Sequence, residues 1–92
     1  MKSYHDWDIE KYTVDIKNSK IEMVLTYYGE AEEKLIFKNV ESFEFSGTSM
    51  YQNAIFDIQQ KLDKSTELTK FEIGASVGLV GWIIAKNCIV EK

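Results

Sequence analysis

The chain of 92 residues has no arginine and no proline, a single cysteine (Cys88) and a single histidine (His5). Each shortage closes off a class of chemistry. Without guanidinium groups the chain lacks the side chain that grips phosphates, carboxylates and guanine edges with two parallel hydrogen bonds. A solitary thiol forms no internal disulfide and no thiolate cage for zinc, and it points to a reducing compartment. A solitary imidazole with no motif marking a titratable partner leaves acid–base catalysis without a recognisable pair. Long apolar runs are also missing. The most apolar segment, residues 75–90, carries Lys86 and Asn87 and falls short of the ~20 residues a membrane-crossing helix needs. Residues 1–8 (Met-Lys-Ser-Tyr-His-Asp-Trp-Asp) lack the apolar stretch of a secretory leader. A cytoplasmic protein with no membrane partner is therefore expected.

Fifteen acidic residues against eleven lysines give a formal charge of -4 and a pI near 4.9. Such a surface repels a phosphate backbone, so no nucleic acid is expected as a ligand, whereas a basic protein is electrostatically favoured. The length fits one domain spanning residues 1–92, able to bury a little over ~60% of its unfolded surface.

What the chain has in quantity is alternation. Residues 9–16 place Tyr12, Val14 and Ile16 on one face of a strand, and residues 21–28 do the same with Ile21, Met23, Leu25 and Tyr27. Asn18 and Ser19 supply a turn, so these two strands should form a hairpin. After an acidic turn at 29–33 the pattern resumes through Leu35, Phe37 and Val40. It continues in Phe43 and Phe45, with Glu41 and Glu44 breaking the face and suggesting a bulge at 39–42. Residues 49–62 allow two readings. Met50, Ala54, Ile58 and Leu62 recur at helical spacing, yet residues 53–58 also read as a strand with Ala54, Phe56 and Ile58 inward, followed by a loop over 59–69. The β-branched and aromatic content favours the strand. Residues 71–73 and 82–90 complete the strands, with Gly74, Gly78 and Gly81 marking a hairpin loop. The fold expected is mainly β, or α+β if a helix forms around 49–62, with a small antiparallel sheet folded as a sandwich or open barrel.

Few residues are candidates for chemistry. On an extended segment Asp6, Asp8 and Glu10 would share a face suited to a hard cation, with His5 opposite. A calcium-binding EF-hand loop would need Gly and Glu where this chain, counted from Asp6, has Lys11 and Lys17. His5, Asp6 and Asp8 therefore read first as a polar N-terminal motif that fastens the chain start to the sheet, and no metal or cofactor is assigned. Trp7 reads as a plug over the sheet end or as a platform for a partner. Cys88 reads as a buried small hydrophobe. The acidic run Glu30, Glu32 and Glu33 reads as a solvated turn that can dock onto a basic protein. Tyr27, Tyr28, Tyr51 and Phe71 could form an aromatic patch of the kind favoured at interfaces.

The His5-Asp6 pair, the strand at 9–16, the segment Leu35-Ile36-Phe37-Lys38-Asn39-Val40 and the segment Asn53-Ala54-Ile55-Phe56-Asp57-Ile58 together resemble a loose group of small bacterial β-rich proteins. Some of that group look like immunity proteins of polymorphic toxin systems. The resemblance implies a non-catalytic module that neutralises a basic toxin, and it brings no catalytic residues with it. Two other readings are a homodimer or larger homo-oligomer built by edge-strand pairing, since no proline protects an edge, and a small metal-binding or hydrolytic protein using His5, Asp6 and Asp8.

Overall fold

A computed structural model describes all residues from Met1 to Lys92. Six strands follow one another: β1 (Asp8–Asp15), β2 (Lys20–Tyr27), β3 (Ala31–Ser46), β4 (Ala54–Asp63), β5 (Leu68–Val77) and β6 (Val80–Glu91). All neighbours are antiparallel, and the strands close into a barrel in the order β1-β2-β3-β6-β5-β4. Two three-strand meanders, β1-β2-β3 and β4-β5-β6, are thus joined along β3 and β6. No helix forms, and residues 49–62 divide into a loop as far as Asn53 and nearly the whole of β4.

The alternation read from the sequence determines the core. Ile21, Met23 and Leu25 of β2 and Leu35 and Phe37 of β3 are buried, and they meet Ile55, Phe71, Ile73, Ile83 and Ala85 from the second meander. Phe37 and Phe71 pack edge to face at 5.1 Å, which removes Phe71 from any surface patch. Strand β3 spans sixteen residues because a bulge between Val40 and Ser42 lets it bend. Its first half pairs with both β2 and β6. Its second half pairs with β6 alone and brings Phe45 to 4.9 Å from Tyr12 of β1. Gly81 lets β6 lie this close to the second half of β3, because a Cβ there would lie 1.9 Å from the Glu44 carbonyl oxygen.

Strand β4 departs from expectation in phase and length. Register shifts on both sides of Ile55 turn that residue fully inward and leave Phe56 outside, 55% exposed, while Ile58 still packs on the core. The strand then continues to Asp63 where a loop was expected, and a turn at 64–67 leads into β5. The glycine segment is likewise tighter than a loop. β5 runs on to Val77, and only Gly78 and Leu79 separate it from β6.

Closure of the barrel is short. Three backbone bonds hold it: Ile9 N–H to the Asn53 carbonyl (2.8 Å), Ile55 N–H to Trp7 (2.8 Å) and Asp6 N–H to Ile55 (3.0 Å). Beyond this seam β1 and β4 have no further pairing with each other.

Candidate functional site

The loop from Gly47 to Asn53 crosses one end of the barrel, and a single side chain organises it. The Asn53 Oδ1 accepts from the Ser49 amide (2.9 Å) and the Leu79 amide (3.0 Å), while its Nδ2 donates to the Ser49 carbonyl (2.8 Å). Gly78 passes so close that a Cβ would fall 2.4 Å from the Asn53 Oδ1. The Ser49 hydroxyl accepts from the Tyr51 amide at 3.0 Å, and Gln52 Nε2 donates to the Asp8 carboxylate at 3.0 Å. Loops whose backbone groups are satisfied by fixed partners hold one conformation. On this one Met50 and Tyr51 stand entirely in solvent, at 102% and 93% exposure. Between the loop and β1 lies an open groove of about 570 Å³ lined by Asp8, Glu10, Lys11, Tyr12, Thr26 and Leu79 as well as the loop itself.

The N-terminal segment seals the adjoining part of the barrel. Tyr4 and Trp7 are buried, with their rings edge to face at 5.4 Å. The Tyr4 hydroxyl donates to Glu33 Oε1 at 2.9 Å, and the Lys2 ammonium pairs with Glu33 Oε2 while lying 4.7 Å from the centre of the Trp7 ring. Glu33 is only 5% exposed. Its burial acts to raise the carboxyl pKa, but the hydrogen bonds from Lys2 and Tyr4 outweigh that and hold it below the ordinary glutamate value. The phenol of Tyr4 is pushed up by its own burial and by the same carboxylate. Trp7 is thus a plug, and Glu33 is its polar anchor. Neither is available to a partner, which corrects two of the binding residues expected from sequence.

The remaining acidic and aromatic residues of that region are accessible. Tyr28 and Gly29 both adopt left-handed backbone (φ 50° and 69°), and the Glu30 amide closes the turn onto the Tyr27 carbonyl at 3.0 Å. Tyr28 is 69% exposed and packs against Tyr27 at 4.6 Å, with Glu30 and Glu32 exposed beside it. Thr26, which lines the groove, lies two residues away. Thr26 lies opposite Asp8 in the β1–β2 ladder and Asp8 accepts from Gln52 of the loop, so the Tyr28 turn leaves the end of β2 that forms part of the groove wall.

The N-terminal polar motif does not converge. Asp6 takes a left-handed conformation (φ 69°) that breaks the extended segment on which Asp6, Asp8 and Glu10 were to align. His5 Nδ1 lies 3.3 Å from Asp6 Oδ2, and the ring packs on Phe56 at 5.4 Å. Asp8 is occupied by Gln52, and Glu10 accepts from the Thr26 hydroxyl at 3.4 Å. No three His, Cys, Asp or Glu side chains gather where a metal ion could be held. Burial pushes the Cys88 thiol up to about 12, so it is protonated and unreactive at neutral pH. Of the residues named from the sequence, Tyr51 and Asp8 line the groove, as do Met50 and Asn53, which were not singled out as binding residues. The signal was the turn-forming composition of Gly47-Thr48-Ser49 and Asn53, obscured by a four-residue apolar spacing that imitates a helix.

No family model and no curated protein matches the chain. Among solved structures it is similar to an uncharacterized protein from Neisseria gonorrhoeae, with a TM-score of 0.75 at 14% identity over 99% of this chain and 96% of the other. At that identity the likeness shows the barrel fold alone.

Proposed function

We propose that the chain is a non-catalytic protein-binding module whose contact surface is the loop 48–53 with the Tyr28 turn beside it, and whose partner is a basic protein. The observation that carries this reading is the full exposure of Met50 and Tyr51 on a loop pinned by Asn53. Burying side chains of this size stabilises by ~1.5–3 kcal/mol each, a gain the free molecule forgoes at both positions. A pinned loop also loses little conformational entropy when it docks, so the gain is available to a complex. The charge of -4 and the exposed carboxylates of Glu30 and Glu32 supply attraction toward a basic surface. The specific form we propose is immunity-type neutralisation, in which the module covers the working site of a basic toxin in the cytoplasm.

The test is co-purification with the product of the neighbouring reading frame, using the wild type and a Met50→Ser/Tyr51→Ser variant. The expected result is a complex with the wild type, at least tenfold weaker with the double variant. Equal retention of both would remove the loop from the interface, and no retention of the wild type would remove the neighbour as partner.

A further inference from the structure

The three methionines meet solvent very differently. Met23 lies sealed in the core at 0% exposure, Met1 is 46% exposed and Met50 is 102% exposed. A thioether reacts with a peroxide that can reach its sulfur, and a buried one reacts only when the fold opens. Met50 is therefore the most open target in the chain. Cys88 offers little competition: it is half-buried and its thiol is held protonated, whereas the reactive form is the thiolate. The loop around Met50 also keeps such a change local. Its conformation is fixed by the bonds of Asn53 to Ser49 and Leu79 and by the Ser49 hydroxyl, which accepts from the Tyr51 amide. None of these bonds uses the Met50 side chain, so an oxygen added to its sulfur meets water and disturbs no packing.

We propose that Met50 is a site of reversible oxidation by peroxides, and that its sulfoxide switches off the contact surface of the loop. The second half rests on the protein-binding reading given above. In the step itself the thioether sulfur attacks one peroxide oxygen, and an S–O bond forms as the O–O bond breaks. The departing oxygen takes up a proton and leaves as water or an alcohol. Sulfur loses two electrons and the peroxide gains them. The product is a polar, hydrogen-bonding side chain where the loop had an apolar, adaptable one. A partner that buries this position must strip water from the sulfoxide, so binding weakens. A bound partner in turn covers the sulfur, so oxidation acts on the free molecule. Two thiols of a methionine sulfoxide reductase reverse the step, giving back the thioether with a disulfide and water.

Peptide mapping of the full chain after graded hydrogen peroxide tests the site. Met50 should gain one oxygen at least tenfold faster than Met23 and ahead of Met1, with the melting temperature unchanged while Met50 alone is oxidised. Oxidation of Met23 or Met1 at the rate of Met50 would overturn the assignment, as would a melting temperature that falls in step with Met50 oxidation. Retention by the product of the neighbouring reading frame, measured on the same samples, tests the switch. Retained chains should carry intact Met50 and unretained chains the sulfoxide, and treatment with the reductases for both sulfoxide epimers should restore binding. Equal retention of oxidised and intact chains, or no recovery after reduction, would overturn the switch. A wild type that is not retained even before oxidation would overturn the binding reading and the switch with it, while the site stands or falls by the mapping.

Discussion

Tyr28 holds a bulky side chain in left-handed backbone at φ 50°, a conformation that costs an L-residue about 1 kcal/mol relative to glycine. The next residue, Gly29, carries the same conformation freely, so the strain is concentrated on the tyrosine. Replacing Tyr28→Gly should raise the unfolding free energy by about 1 kcal/mol in a denaturant titration while weakening partner binding. Those opposite signs distinguish a residue kept for contact from one kept for stability. Glu33 is the converse. Its depressed pKa means that the unfolded chain binds its proton at higher pH than the native one. The stabilisation is thus complete above pH 4.5, the ordinary value, and disappears as the pH falls below it. For Cys88 the sign reverses: stability is complete below pH 9.0 and is lost as the pH rises toward 12, because only the unfolded thiol ionises readily. Thermal melts across pH should therefore give a plateau over roughly pH 5–8 with a fall on either side, and Glu33→Gln should flatten the acid limb from a lower plateau. The sequence showed the carboxylates at 30, 32 and 33 as one run. Strand alternation sends Glu33 inward with Leu35 and Phe37, and only Lys2 and Tyr4, thirty residues away in the chain, make that burial tolerable.

At the scale of elements, the β1–β2 hairpin and the bulge at 39–42 were legible because both follow from local pattern. Asn18 bonds back to Asp15 as the turn residues imply, at 2.8 Å between side chains. The break in alternation at Glu41 is the extra residue of the bulge between Val40 and Ser42. Strand β4 was less legible because its phase changes at Ile55 under the demands of closure, a long-range effect with no local mark. The loop before it depends on one side chain, which makes a sharp prediction. Asn53→Ala removes the acceptor for two amides and the donor to a third backbone group, and should cost about 2 kcal/mol with a loss of partner binding larger than that of Tyr51→Ala alone. Gly81→Ala should cost about 3 kcal/mol in a thermal or denaturant melt, because its methyl would press on the Glu44 carbonyl across the β3–β6 ladder.

Over the whole molecule, the antiparallel sheet could be read from the sequence, but its strand order and its closure could not. A ring sealed by three backbone hydrogen bonds at residues 6–9 and 53–55 leaves no trace in hydrophobic period. Its consequence is that Tyr4 and Trp7 plug one end while the pinned loop and the Tyr28 turn present a surface at the seam. The net charge acts at this scale as well. Reversing Glu30 and Glu32 to lysine should slow association with a basic partner at low salt and leave the dissociation rate almost unchanged, with the difference vanishing above the ionic strength that screens exposed charges.

Amide hydrogen exchange on the free protein and on its complex measures the central claim most directly. In the free protein the amides of Ser49 and Leu79 should be protected by Asn53, and in the complex protection should spread over residues 48–53 and 27–32 only. Rapid exchange at Ser49 and Leu79 in the free protein, or a complex that leaves residues 48–53 unchanged, would contradict the account.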